Sequence, residues 1–313
     1  MRKLTLAAML AVLGLGSVTA QAAEPESCKA VKFSDVGWTD ITATTGTTSY
    51  ILDSLGYKPT ATLLSIPVTL ESMQNKKIDI FLGDWEPTNA VNMKPYLAAK
   101  TVEVVGVNLE GAKYTLAVPT YLYDQGLKSF KDIAKFKDQL DGKIYGIEPG
   151  NDGNQLILGM IKNNTDGVGK FKLVESSEQG MLAAVKKATA KKKAIVFLGW
   201  APHPMNSQFK MSYLADGDDV FGPNFGGATV YTTVRTGYVA ECPNVGKLLT
   251  NLKFTLGMEN DIMGSIMYDK MDPKKAGAKW LKAHPEVLST WLAGVTTIDG
   301  QPAEAAVKKS LGL

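Results

Sequence analysis

The sequence predicts an α/β fold built from two similar lobes. Two observations carry this. Short apolar, β-branched runs alternate with helix-like segments along most of the chain. One pattern also occurs twice. Residues 78–89 read IDIFLGDWEPTN and residues 194–206 read AIVFLGWAPHPMN. Each is a buried-type strand running into Phe-Leu-Gly, then Trp, then a Pro-containing loop, and each follows a lysine pair.

Taken in order, Lys32–Val36 reads as a strand and Thr45–Leu55 as a helix. Ala61–Ile66 follows as a strand, Val68–Asn75 as a helix and Ile78–Leu82 as a strand. Val102–Val107 and Tyr114–Val118 are strands near a crossover. The scheme then repeats: strand Lys143–Ile147, helix Gln155–Lys162, strand Phe171–Val174, helix Glu178–Thr189, strand Ala194–Leu198. From about Pro243 onward the pattern is mainly helical. If that helical third packs back on the first lobe, the chain crosses between lobes at least twice.

Residues 1–22 read as a cleavable secretory signal. Arg2 and Lys3 form its basic start, Leu4 to Val18 its apolar stretch, and Ala20-Gln21-Ala22 a small-x-small cleavage site. No later segment is apolar for the ~18 residues of a spanning helix. The mature protein is thus expected to be exported and soluble. Cys28 and Cys242 are the two cysteines, and two distant cysteines in an oxidising compartment are expected to pair. His203 and His284 are far apart, no Cys/His ligand spacing occurs, and no metal site is expected.

Charge excludes one class of partner. The whole chain has 34 basic and 31 acidic residues, but no acid precedes Glu24, so without the leader 32 basic residues face 31 acidic ones. A nucleic-acid binder needs a far more basic face. With 45% apolar and 21% charged residues of mixed sign, disorder is excluded as well. No phosphate-binding glycine loop and no nucleophile elbow occurs, and nothing points to a catalytic nucleophile or acid/base pair.

Ligands of open α/β sheets gather outside the carboxyl ends of strands. Three of five tryptophans fall there: Trp38 in Gly-Trp-Thr-Asp, Trp85 in Gly-Asp-Trp and Trp200 in Leu-Gly-Trp. Trp280 and Trp291 lie in helical patterns and read as packing residues. One Trp at a strand end could merely cap a core, but three, drawn from both lobes, suggest a shared aromatic cleft. Such a cleft suits stacked rings or a bulky cation, which the negative face of an aromatic ring attracts. Asp40 could supply a compensating charge or cap a helix, or do both. Asn151, in Gly-Asn-Asp-Gly-Asn, reads first as a turn or cap residue, and alternatively as an amide reaching a ligand hydroxyl. Arg235 is the one arginine beyond the leader, so a bidentate guanidinium clamp on a carboxylate has a single candidate.

Those residues lie in runs that resemble the quaternary-amine receptors of ABC transporters, and among them the periplasmic choline-binding proteins. The likeness runs from FSDVGWTDI through IDIFLGDWEPTN, KYTLAVPTYLYDQGLKS, YGIEPGNDGNQLI and FLGWAPHPMN to KKAGAKWLKAHPEVLSTWLAGV. It implies the two-lobed solute-receptor fold with two crossovers (type II). Lobe A would hold residues 23–110 and 226–313, lobe B residues 111–225. It further implies a trimethylammonium group in a box of Trp38, Trp85, Tyr114 and Trp200. Asp40 would sit beside the ammonium, and Asn151 would contact the choline hydroxyl. Tyr114 comes from the resemblance alone, since a Tyr in a strand usually packs. The implied protein is a monomeric periplasmic receptor without cofactor or catalysis. It would capture choline, and acetylcholine as well if the shared head group suffices, and deliver it to an ABC permease. The competing ligands are glycine betaine and proline betaine.

Overall fold

The computed structural model describes residues 24–313. The expected secretory signal, residues 1–22, lies outside the described residues. Nine strands form one continuous sheet: β1 (Ala30–Asp35), β2 (Lys58–Leu63), β3 (Ile80–Glu86), β4 (Val102–Pro119), β5 (Lys143–Tyr145), β6 (Lys172–Val174), β7 (Phe197–Ala201), β8 (Met211–Tyr213) and β9 (Gly227–Arg235). The order is β2-β1-β3-β9-β4-β7-β5-β6, with β8 paired to β4.

This order contains the same unit twice. In the first half β2, β1 and β3 run parallel and β9 joins β3 antiparallel. In the second half β6, β5 and β7 run parallel and β4 joins β7 antiparallel. The repeated sequence pattern is thus the repeated third strand of each half, β3 and β7. Each of these strands is followed by a cis proline, at Glu86–Pro87 and Ala201–Pro202.

Two strands carry the chain between the lobes. β4 is 18 residues long. Its first part pairs with β9, and from Lys113 onward it pairs with β7. β9 brings the chain back beside β3. The two strands expected at Val102–Val107 and Tyr114–Val118 are therefore one, because pairing with successive partners lets the strand run on through register shifts.

The longer helices are α1 (Thr39–Ser54), α2 (Ile66–Gln74), α3 (Ala90–Ala98), α4 (Asp152–Asn163), α5 (Glu178–Ala190), α6 (Pro243–Asn251), α7 (Leu256–Met267), α8 (Pro273–Ala283) and α9 (Ala303–Leu311). The C-terminal helices return to the first lobe. α1 packs along α8 and against α7, and Gly46 and Gly277 permit this approach, since a Cβ on either would overlap Pro273 or Thr47. A Cys28–Cys242 disulfide closes the first lobe, with Cα atoms 5.6 Å apart and both residues buried. Among the described residues, no helix is long and apolar enough to cross a membrane.

Several expected boundaries move. α1 begins at Thr39, not Thr45, so Asp40 lies in its first turn rather than in a preceding loop. The threonines of residues 39–48 mask the helical signal, yet Thr44, Thr47 and Thr48 turn their hydroxyls onto carbonyls three or four residues back. β3 extends through Trp85, and β7 through Trp200. These two tryptophans are strand residues, not loop residues after the strand. Trp291 is buried against Phe254, while Trp280 is half-buried at the edge of the core and stacks on His284.

Candidate ligand-binding site

The two halves of the sheet face one another across a closed cavity. It is small, with about 10 Å³ of free space, and is lined by Trp38, Asp40, Trp85, Tyr114, Ile147 and Trp200. Each lobe supplies walls. Trp38 precedes α1, where Gly37 takes a positive φ of 85° to turn the chain out of β1. Asp40 is the second residue of α1. Trp85 projects from β3, Tyr114 from the crossover strand β4, Trp200 from β7 and Ile147 from the loop after β5. Tyr114 and Trp200 are direct partners in the β4–β7 register, which sets their rings side by side.

The rings stand edge to face. The Tyr114 centroid lies 6.1 Å from that of Trp85 and 6.1 Å from that of Trp200, at interplanar angles of 67° and 86°. Phe221 closes the far side of Tyr114 at 5.9 Å. None of the four box rings is more than 6% exposed. Walls so buried exclude water, and the negative face of such a ring attracts a cation.

Among the described residues, Asp40 is the only charged one lining the cavity. It is buried, and its Oδ1 accepts no hydrogen bond. The Nε1 of Trp85 is likewise buried and unpaired. An isolated carboxylate in such a place is costly. Burial, and next the charge of Glu178, push the Asp40 carboxyl up to about 8. Helix capping, one of the two roles open to Asp40, is not what the geometry gives. The cap position belongs to Trp38, and the first N–H of the helix, that of Thr39, is bound by Glu178 at 2.8 Å.

More acids stand behind the walls. Glu148 accepts from Trp38 Nε1 at 2.9 Å, and burial pushes its carboxyl to about 7. Asp152 accepts from the Thr88 hydroxyl, and burial raises its carboxyl to about 6. Glu259, on α7, is held well above its ordinary value by burial and then by the charge of Asp40.

Asn151 does not line this cavity. It caps α4, where its Oδ1 accepts from Asn154 N–H and from the Tyr114 hydroxyl, and its Nδ2 donates to Asp152. It stands one side chain behind the Tyr114 wall. Gly153 lets α4 come so close, for a Cβ there would lie 2.2 Å from the Tyr114 oxygen. Arg235 is committed elsewhere. It bonds Asp79 at 2.7 Å and Glu241 at 2.6 Å and stacks on Tyr238. The one candidate for a guanidinium clamp is therefore a structural ion pair beside the disulfide, not a ligand contact.

The structure thus gathers Trp38, Asp40, Trp85, Tyr114 and Trp200 around one space and sets Asn151 behind it. Sequence reasoning missed Ile147, Glu148, Asp152, Glu178 and His203. Glu148 and Asp152 flank Asn151 in a segment already singled out, so they were within reach. Glu178 and His203 carry no sequence signal, because their partners lie in the other lobe or on another element.

A two-lobed α/β protein with a closed aromatic cavity between its lobes is a solute-binding protein. The comparisons agree. Residues 29–283 match the family model described as the substrate binding domain of ABC-type glycine betaine transport systems, and the chain belongs to that family of extracytoplasmic transport receptors. It is similar to a solved ABC-transporter choline binding protein in complex with choline, with 60% identity, a TM-score of 0.91 and coverage of 92% of this chain and 100% of that one. The unliganded, semi-closed form of such a choline binding protein gives 59% identity, a TM-score of 0.85 and the same coverage. A lactococcal protein of the family, closed on glycine betaine, is 28% identical with a TM-score of 0.75, covering 84% of this chain and 98% of the other.

Proposed function

We propose that this protein captures choline in the periplasm and delivers it to an ABC permease in the inner membrane. The trimethylammonium group sits in the box of Trp38, Trp85, Tyr114 and Trp200, with Asp40 as its counter-ion. The carrying observation is the lining itself: four aromatic rings, one carboxylate with a free oxygen and no basic side chain. The cation meets ring faces without needing hydrogen bonds it cannot make. The hydroxyl of choline is held through Asn151, reached as the ligand displaces or extends the Tyr114–Asn151 bond. Acetylcholine carries the same head group and is a second ligand.

Residues 1–22 are a cleaved signal, and the mature protein acts as a monomer. The lobes comprise residues 23–110 with 226–313, and residues 111–225. Their walls meet only when the lobes close, so a bound cation favours the closed form. Binding is the whole mechanism, with no chemical step. Glycine betaine is the rival ligand, favoured by the family description and by the lactococcal relative. Its carboxylate would lie near Asp40 with no basic side chain lining the cavity, and Arg235 is occupied.

A titration of intrinsic tryptophan fluorescence tests the reading, since three box residues are tryptophans. Saturable change with choline at micromolar concentration supports it. No change with choline alongside a saturable response to glycine betaine defeats it.

A further inference from the structure

We propose that Glu178 is a latch that holds the two lobes together in the closed form by capping the helix that carries Asp40. The latch rests on the receptor reading above and concerns how long a ligand stays bound. Glu178 begins α5 in the second lobe and is fully enclosed. Its Oε2 accepts from the backbone N–H of Thr39 at 2.8 Å, and its Oε1 accepts from the Thr39 hydroxyl. Thr39 is the first residue of α1 in the first lobe, 139 residues away. Oε1 also takes the His203 imidazole at 3.2 Å. His203 Nδ1 accepts from the Met205 N–H at 3.0 Å, so Nε2 carries the hydrogen and donates.

One carboxylate therefore collects three donors, two of them across the cleft. The first N–H groups of a helix have no intrahelical acceptor. α1 has no side-chain cap of its own. In the closed form its cap comes from the other lobe, and a carboxylate there also suits the positive end of the helix. When the lobes part, Thr39 and Glu178 separate and water replaces both bonds. His203 belongs to the second lobe and stays, keeping the carboxylate aimed at the place where Thr39 returns. His203 also packs against Trp200 at 5.0 Å between centroids, which ties the latch to a wall of the box.

Three further ties cross the cleft, Trp38 to Glu148, Thr88 to Asp152 and Gln155 to Asn92. Glu178 differs in that it binds main chain and side chain of one residue, adjacent to Asp40. A glutamine in its place offers one acceptor oxygen. With that oxygen kept on His203, its amide group faces the Thr39 N–H, a donor–donor clash that exists only in the closed form.

The test is stopped-flow kinetics on the full mature protein with Glu178→Gln, and with Thr39→Val as a second variant that leaves the buried carboxylate and His203 in place. Expected for Glu178→Gln is a dissociation rate raised about tenfold or more, with the association rate within about threefold of the parent. Thr39→Val raises dissociation less, since the N–H bond survives. The melting temperature of the ligand-free protein stays within about 2 °C, because the open form lacks these bonds. Unchanged dissociation in either folded variant overturns the latch. A raised dissociation rate joined to a large fall in ligand-free melting temperature overturns it too, marking a general packing residue. Rates are measured with choline and with glycine betaine. If the parent binds only betaine, the choline reading fails and the latch is still timed with betaine.

Discussion

The Tyr114 hydroxyl donates to Asn151 Oδ1 at 2.9 Å, which fastens one wall of the box to the N-cap of α4. Tyr114 belongs to a crossover strand and Asn151 to the second lobe. The ring orientation is thus fixed by an amide that is itself fixed by the helix it caps. Tyr114→Phe keeps the aromatic face and loses this tie. Choline affinity should fall about 3- to 10-fold, the worth of one buried hydrogen bond. Tyr114→Ala removes the wall and should cost much more. Calorimetry on both variants checks the order, and equal losses would mean the hydroxyl, not the ring, is what matters.

Asp40 is the one acid in the cavity lining, and its free oxygen needs a partner. Asp40→Asn preserves shape and removes the charge. Choline affinity should drop at least about tenfold, since buried charge pairs exceed neutral ones by this much or more. Affinity equal to the parent would remove Asp40 from the account. A receptor that used its tryptophans as sugar platforms would tolerate this change.

The same carboxyl predicts a pH effect. Its ordinary value is 3.8, and in the closed cavity burial and Glu178 raise it to about 8. Below that pH it holds a proton, which a bound cation expels. Affinity should therefore rise as pH rises from 6 toward 8 and level off above. For the closed protein without ligand the sign is opposite. Between 3.8 and about 8 the folded form holds a proton that the unfolded form has lost, so stability declines as pH rises through that window. Calorimetry at pH 7 in two buffers of different ionisation enthalpy should register proton release on binding. A flat affinity from pH 6 to 8.5 without proton release would contradict this.

The tryptophans should contribute unequally to size and equally in kind. Replacing Trp38, Trp85 or Trp200 by Phe keeps a smaller π face, so each change should cost less than the corresponding Ala change. Loss of a ring should cost about 3- to 30-fold in affinity from the cation term alone, more where packing collapses. A neutral isostere of choline, with carbon in place of nitrogen, should bind far more weakly to the parent, and titration with both compounds measures the difference.

The Cys28–Cys242 bridge closes a loop of over two hundred residues within the first lobe, away from the cavity lining. Cys28→Ser with Cys242→Ser should lower stability by about 2–5 kcal/mol and leave choline affinity nearly unchanged. Denaturant unfolding beside a binding titration separates the two effects.

How much of this could be read beforehand differs between fold and site. Strand–helix alternation and the repeated Phe-Leu-Gly run followed by Trp exposed the two-lobed α/β plan, because buried parallel strands are locally apolar. They did not give the start of α1, whose threonines look unlike a helix until their hydroxyls find the preceding turn. Trp38, Asp40, Trp85 and Trp200 could be picked out by their places near strand ends. Tyr114 needed the family likeness, since nothing local distinguishes a wall from a packing residue. Glu178 and His203 could not be found, for their meaning lies in the Thr39 backbone on the opposite lobe. Contacts across a cleft leave no periodic trace in either segment.

The central claim is that this cavity prefers a quaternary ammonium alcohol to a quaternary ammonium acid. Isothermal titration of the mature protein with choline and with glycine betaine, at one pH and salt concentration, tests it most directly. Choline should bind at least about tenfold tighter, because Asp40 repels a second carboxylate and no basic side chain answers it. Equal or tighter binding of glycine betaine would contradict it.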